Sequence, residues 1–151
     1  LEAYFQGKKD LFGGLAMERW EKDWESYLVL HIDFSLTKYM ELTDLTGQLN
    51  LFLHRWEKIY GKDEAEKTAS ERLQGIILRA SEQIGKQVVV LIDEYDAPLL
   101  DSNSDTALQQ QLRNEMRKFF SPPQEVGAVS SLSLHHRHQQ VQPTEHLQRT
   151  E

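Results

Sequence analysis

Cysteine is absent from all 151 residues, which excludes disulfides and thiolate metal sites and fits a reducing cytoplasm. Long hydrophobic runs are absent too. The longest, Val88 to Ile92, falls far short of the roughly 18 apolar residues that a membrane span requires. No secretory signal is visible in the first fifteen residues, where Glu2, Lys8, Lys9 and Asp10 mix with the apolar ones. Positive charge is in short supply: 17 Lys and Arg face 24 Asp and Glu, a net charge of −7 that argues against a sequence-independent grip on nucleic acid. What is present, 39% hydrophobic and 27% charged residues, is the composition of a globular domain long enough for one core.

Residues 1 to 26 read as helical with a break at Gly13-Gly14, and Leu15, Trp20 and Trp24 supply the apolar side. The chain opens on Leu1 inside that helical pattern, as expected of a piece cut from a longer protein. Residues 27 to 35, rich in β-formers and too short for a typical helix, predict a strand buried on both faces. From Glu41 to Tyr60, Leu42, Leu45, Leu49, Phe52, Leu53, Trp56 and Ile59 recur at spacings of three and four, one face of a helix closed by Gly61. A second helix, Asp63 to Ile84, turns Leu73, Ile76, Ile77, Ala80 and Ile84 inward and ends at Gly85. A strand follows over Gln87 to Asp93. After Pro98 and a polar turn, Ser104 caps a helix carrying Leu108, Leu112, Met116, Phe119 and Phe120, which Pro122-Pro123 stops.

Strands alternating with helices predict an α/β fold with a parallel sheet. Two strands are too few for such a sheet, so the domain is expected to be incomplete. Residues 122 to 151 carry four of the six histidines with many Gln and Ser, and no strand is expected after Phe120. They read as a disordered or aberrant tail, whose abrupt onset would follow from a frame change or a foreign C-terminus. The His135-His136-Arg137-His138 cluster is read as solvated, and the tryptophans as core residues.

The chemistry gathers at the second strand. Val88-Val89-Val90-Leu91-Ile92 describes a central strand covered on both sides, and Asp93-Glu94 ends it. Two carboxylates are costly in a core, so they belong at the C-terminal edge of the sheet, where open α/β folds bind their ligands. There Asp93 can hold the water shell of Mg²⁺, which prefers hard oxygen ligands and keeps several waters. Glu94, one residue on, points to another side and can orient or deprotonate a water attacking a γ-phosphate. A buried strand that merely ends in solvent-facing acids has the same sequence. Asp33, ending the neighbouring strand, should lie beside Asp93, either supporting a metal or accepting hydrogen bonds from a helix N-terminus; Asp96 is read as a turn residue before Pro98.

Ile92-Asp93-Glu94-Tyr95-Asp96-Ala97-Pro98-Leu99-Leu100 resembles the extended Walker B segment of the AAA-ATPase-like family, bacterial P-loop ATPase-like domains often followed by a PD-(D/E)XK nuclease-like domain. The resemblance continues through residues 1 to about 120 in order. Leu1-Glu2-Ala3-Tyr4-Phe5 and Lys8-Lys9-Asp10-Leu11-Phe12 look like the helix after the phosphate loop, and Leu30-His31-Ile32-Asp33-Phe34-Ser35 like the second strand. Arg55-Trp56-Glu57 with Tyr60-Gly61 resembles the end of the long helix, and Leu112-Arg113-Asn114 the helix after Walker B.

That resemblance implies a partial P-loop NTPase-type sheet flanked by helices over residues 1–121, an incomplete Rossmann-like three-layer sandwich. It further implies ATP and Mg²⁺ as cofactors of the intact parent, with Asp93 at the metal and Glu94 as catalytic base. The phosphate loop itself is missing: Gly7-Lys8-Lys9, Gly61-Lys62-Asp63 and Gly85-Lys86-Gln87 all lack the Ser or Thr hydroxyl that would touch Mg²⁺. The chain is therefore expected not to hydrolyse ATP alone. The alternative is a non-catalytic remnant or interaction module without nucleotide. A metal-dependent nuclease cluster of Asp33, Asp93, Glu94 and Asp96 is disfavoured, because no lysine follows the acidic pair at the next strand positions.

Overall fold

A computed structural model of the chain describes residues 2–16, 24–102, 104–121 and 131–134, the last four as backbone alone. Two strands, β1 (Leu28–Asp33) and β2 (Val88–Asp93), pair in parallel with Leu28 opposite Val88 and Asp33 opposite Asp93. A short third strand, β3 (Ser131–Leu134), runs parallel on the other edge of β2, giving the order β1-β2-β3. This corrects the expectation of no strand beyond Phe120. Its signal was the alternation Ser131-Leu132-Ser133-Leu134, too short to stand out in a polar segment. Val89 to Ile92 thus have strand partners on both edges, which a buried strand needs for its backbone donors and acceptors.

The architecture is α/β, parallel strands flanked by helices. Val88 to Ile92 are buried at every position, as a central parallel strand requires. β1 departs from the expected two-sided burial: Leu30 and Ile32 are buried, while Val29, His31 and Asp33 on the other face are half-buried. Leu30, Ile32, Val88, Val90 and Ile92 share one core cluster with the helices, whereas Val89 and Leu91 face the opposite side with His31. A one-turn helix α1 (Glu2–Phe5) and a 3-10 turn at Lys9–Phe12 lie at the β1 side of the sheet, and Tyr27 N–H donates to Phe5 O at 2.7 Å. The helical reading of residues 1 to 26, with its break at Gly13-Gly14, is thus met among the described residues by short turns that break earlier as well; Gly7 and Gly14 take positive φ there, and Leu15 is more than half exposed. Tyr4, Phe12 and Trp24 make edge and tilted ring contacts instead, while Trp20 lies outside the described residues, as does the His135–His138 cluster.

Helix α2 (Leu42–Tyr60) buries Leu45, Leu49, Phe52, Leu53 and Tyr60, and Trp56 stacks on Phe52 with ring centroids 6.0 Å apart. Tyr60 takes the place expected for Ile59, which is 65% exposed. Helix α3 (Ala69–Ile84) starts six residues after Asp63, because its N-cap Thr68 and Glu71 form a reciprocal capping box there. Its inner face is Leu73, Ile76 and Ala80, and Gly85 closes it with φ 67°, a left-handed conformation that glycine adopts without strain. The short α4 (Ala97–Asp101) follows β2, and α5 (Thr106–Phe120) buries Leu112, Met116 and Phe119 as its spacing predicts. The cap of α5 is Asp105, not Ser104: its carboxylate accepts from Leu108 N–H at 2.9 Å. Among the described residues, no helix is long and apolar enough to cross a membrane.

One polar interaction inside this shell is unusual. Glu57, only 6% exposed at its side chain, accepts two hydrogen bonds from Arg72, Nε at 2.6 Å and Nη2 at 2.9 Å. Arg72 Nη1 also reaches Asn50 Oδ1, so α2 and α3 are clamped across their junction. Nearby, Arg79 grips Glu66 and the Gly61 carbonyl, and Gly75 makes this possible because any β-carbon there would collide with the Glu66 carboxylate. The Arg72 hydrogen bonds hold the Glu57 carboxyl below the usual glutamate range. Because the folded value is depressed, the pair's stabilisation is fully present above the unfolded value, about 4.3, and is lost as pH falls through the folded one. Arg72→Met should cost about 3 kcal/mol at neutral pH by leaving a buried carboxylate unpaired. In urea titrations that difference should shrink below pH ~4; a constant difference between pH 7 and pH 3 would assign it to packing alone.

Candidate functional site

The C-terminal ends of the two core strands bring Asp33 and Asp93 side by side in register. Two carboxylates on adjacent strands repel unless each has a partner, and both have one. Asp33 caps the 3-10 turn Phe34–Leu36, its Oδ1 accepting from Ser35 N–H at 2.8 Å. That is the helix-terminus role weighed for Asp33 in the sequence. Asp93 is met by His31, which sits one step back on β1 and on the same face. His31 Nε2 lies 2.8 Å from Asp93 Oδ2, and its Nδ1 lies 3.4 Å from Glu2 Oε2 on α1. Both side chains of the His31–Asp93 pair are about a third exposed, His31 at 32% and Asp93 at 34%.

Directly after Asp93 the backbone reverses. Glu94 has φ 51°, and among the described residues it is the one non-glycine residue with positive φ. The left-handed region costs an L-residue about 1 kcal/mol or more, and strain of this kind concentrates where a side chain must be aimed. Here it ends β2 abruptly and lets Ala97 N–H close onto Glu94 O at 2.9 Å. Asp96 stands at the N-cap position of α4 without a side-chain cap bond, its carbonyl taking the Leu99 and Leu100 N–H groups.

The loops after the two strands are tied together. Fully buried Tyr39 donates its hydroxyl to Phe34 O at 3.0 Å, and its N–H meets Asp101 Oδ2 at 3.3 Å. Lys38 Nζ adds an ion pair to Asp101 Oδ1 at 3.0 Å. Burial, with Asp101 nearby, pushes the Tyr39 hydroxyl far above the usual phenol range, so it remains a donor. The sequence reading missed this clamp and His31. No motif marks either, although an aromatic residue just past a strand-end loop is a usable signal. It also missed a cavity of about 510 Å³ on the helix-covered side of the same strand end, lined by Ile92, Tyr95, Leu99, Arg113, Met116 and Arg117.

The residue order along these elements matches a protein-family model described as "Predicted AAA-ATPase" over residues 1–132. The chain belongs to this AAA-ATPase-like family. A curated protein of Azotobacter chroococcum mcd 1, named as an uncharacterized protein in the vnfD 5′ region, is 32% identical over 123 residues. That alignment covers 80% of this chain and 23% of the relative, so the chain spans about a quarter of that protein's length. No solved structure matches.

As a member of the AAA-ATPase-like family, the chain places its Gly-Lys pairs in unexpected positions. Gly7, Gly61 and Gly85 each follow a helix C-terminus, and their N–H groups donate backward to Tyr4 O, Glu57 O and Ser81 O. Phosphate is held at helix N-termini, where free N–H groups and the positive dipole end face outward. Gly61 and Gly85 present the opposite end, and Gly7 follows α1 directly before Lys8, the N-cap of a four-residue 3-10 turn. Among the described residues no group of three or more His, Asp or Glu side chains is arranged to hold a metal ion.

The left-handed Glu94 gives a direct test. Glu94→Gly should keep or raise stability, by up to about 1 kcal/mol, because glycine takes positive φ freely. Glu94→Val should lower it by more than that amount, since a β-branched residue resists this conformation. Equal urea midpoints for the two variants would show that the turn does not depend on this backbone geometry.

Proposed function

We propose that this chain carries the metal-and-water half of an ATP hydrolysis site, the Walker B element of a P-loop-type ATPase, within a longer cytoplasmic protein. One observation supports this above the others. A fully buried parallel strand delivers Asp93 to the sheet edge, and the backbone turns left-handed at Glu94, the acidic residue that follows.

The donor set fits Mg²⁺. Asp93 offers a hard, partly exposed carboxylate oxygen, and a magnesium site needs only one or two such groups, the remaining positions going to water and substrate phosphates. That fits a strand end where no three-residue protein cage exists among the described residues. Magnesium, when bound with nucleotide, supplies charge neutralisation between the β- and γ-phosphates. Asp93 would hold the ion through its water shell. Glu94 would accept a proton from, and orient, the water aimed at the γ-phosphorus. Asp33 stays committed to its own loop, keeping that strand end rigid beside Asp93.

The phosphate grip would have to come from residues other than the Gly-Lys pairs of this chain, all three of which follow helix C-termini. The same observation favours the second reading, a non-catalytic remnant that keeps the acidic strand end without nucleotide. The two separate in a pair of measurements. Isothermal titration of this chain with Mg²⁺-ATP should show no binding, and micromolar affinity would overturn the division of the site. In the full-length gene product, Glu94→Gln should lower kcat by about 10²–10³-fold with KM for ATP little changed; unchanged turnover, or none in the unaltered protein, would favour the remnant.

A further inference from the structure

We infer that His31 is a positioning residue for Asp93, fixing which carboxylate oxygen is offered to a divalent cation and linking that carboxylate to the N-terminal helix. The inference rests on the reading of Asp93 as the metal-facing group.

In a parallel pair, side chains on the same face stand in register, so His31 is opposite Leu91 and Asp93 is its diagonal neighbour. The imidazole spans that diagonal, and Nε2 approaches Asp93 Oδ2 at 2.8 Å. An ionised carboxylate accepts only, so the contact takes an N–H from His31 and occupies Oδ2. With one oxygen held, rotation of the carboxylate is stopped. Among the described residues Oδ1 takes part in no hydrogen bond, and it is the oxygen left to face a hydrated cation.

Nδ1 faces Glu2 Oε2 at 3.4 Å, and Glu2 Oε1 accepts from Gln6 Nε2 at 2.7 Å. The series Gln6, Glu2, His31, Asp93 therefore runs from α1 across β1 to the end of β2. The 2.8 Å bond from Nε2 restricts the relative orientation of ring and carboxylate, the way groups beyond a metal's direct ligands orient them. A surface ion pair of this exposure contributes little to stability. The arrangement matters for aim more than for holding the fold.

The test uses the whole 151-residue chain and Mn²⁺ alone as a paramagnetic substitute for Mg²⁺. The readout is the Mn²⁺ concentration that halves the backbone amide NMR signals of Asp93 and Glu94. His31→Ala should raise that concentration by about tenfold, in line with losses on removing groups that orient metal ligands. His31→Gln, whose Nε2 amide can donate to Oδ2, should recover most of it. Unchanged urea midpoints in both variants will separate aim from folding. If His31→Ala leaves the Mn²⁺ response unaltered or strengthens it while Asp93→Asn abolishes it, the positioning role is wrong and the metal assignment stands. If Asp93→Asn responds as the unaltered chain does, the metal assignment fails and the role of His31 fails with it.

Discussion

Burying a strand on both faces allows no polar side chain along its length, and β2 obeys that constraint from Val88 through Ile92. Everything charged in this part of the chain is thereby pushed to the point where the strand leaves the core. Asp93 and Glu94 occur together because the first position beyond the buried run is also the first that solvent can reach. The parallel pairing with β1 then places Asp33 and His31 at fixed offsets from Asp93, without any loop having to position them. The helices α2, α3 and α5 serve the same constraint from one side, supplying the apolar cover that Leu30, Ile32, Val88, Val90 and Ile92 require.

Two clamps hold the periphery of this arrangement, and they differ in kind. Tyr39 and Asp101 tie the loop after β1 to the helix after β2 by neutral and charged hydrogen bonds close to the strand ends. Glu57 and Arg72 join α2 to α3 at a junction away from those ends, by a largely buried ion pair. The first limits how far the strand-end loops can separate. The second joins the two helices of the crossover between the strands.

Long-period features were legible in the sequence. The inner faces of α2 and α5, the buried run of β2 and the helix-closing glycines all follow from spacing or from one residue's backbone freedom. The misses share a physical cause: each depends on contacts between residues distant along the chain, or on a local signal shorter than the pattern around it. Residues 1 to 26 carry helical composition, yet aromatic packing of Tyr4 and Phe12 with Trp24 and pairing of Tyr27 with Phe5 give a one-turn helix and a 3-10 turn among the described residues. Ile59 and Ile84 continue an apolar period past the place where the helix still faces the core. At the site, Asp33, Asp93 and Glu94 could be picked out because acids after an apolar run are conspicuous. His31 could not, because its significance is a diagonal across two strands separated by some sixty residues of chain.

The parallel register of β1 on β2 carries a further implication. Side chains on a strand alternate, so sliding one strand by a single residue would turn Leu30 and Ile32 out of the core and carry His31 and Asp33 to the wrong side of the sheet. The apolar interior and the acidic edge are therefore encoded by one alignment. A chain that mispairs loses its core at once, so misaligned molecules are removed by instability before they can present a misassembled site. Proofreading of the chemistry is delegated to the hydrophobic effect.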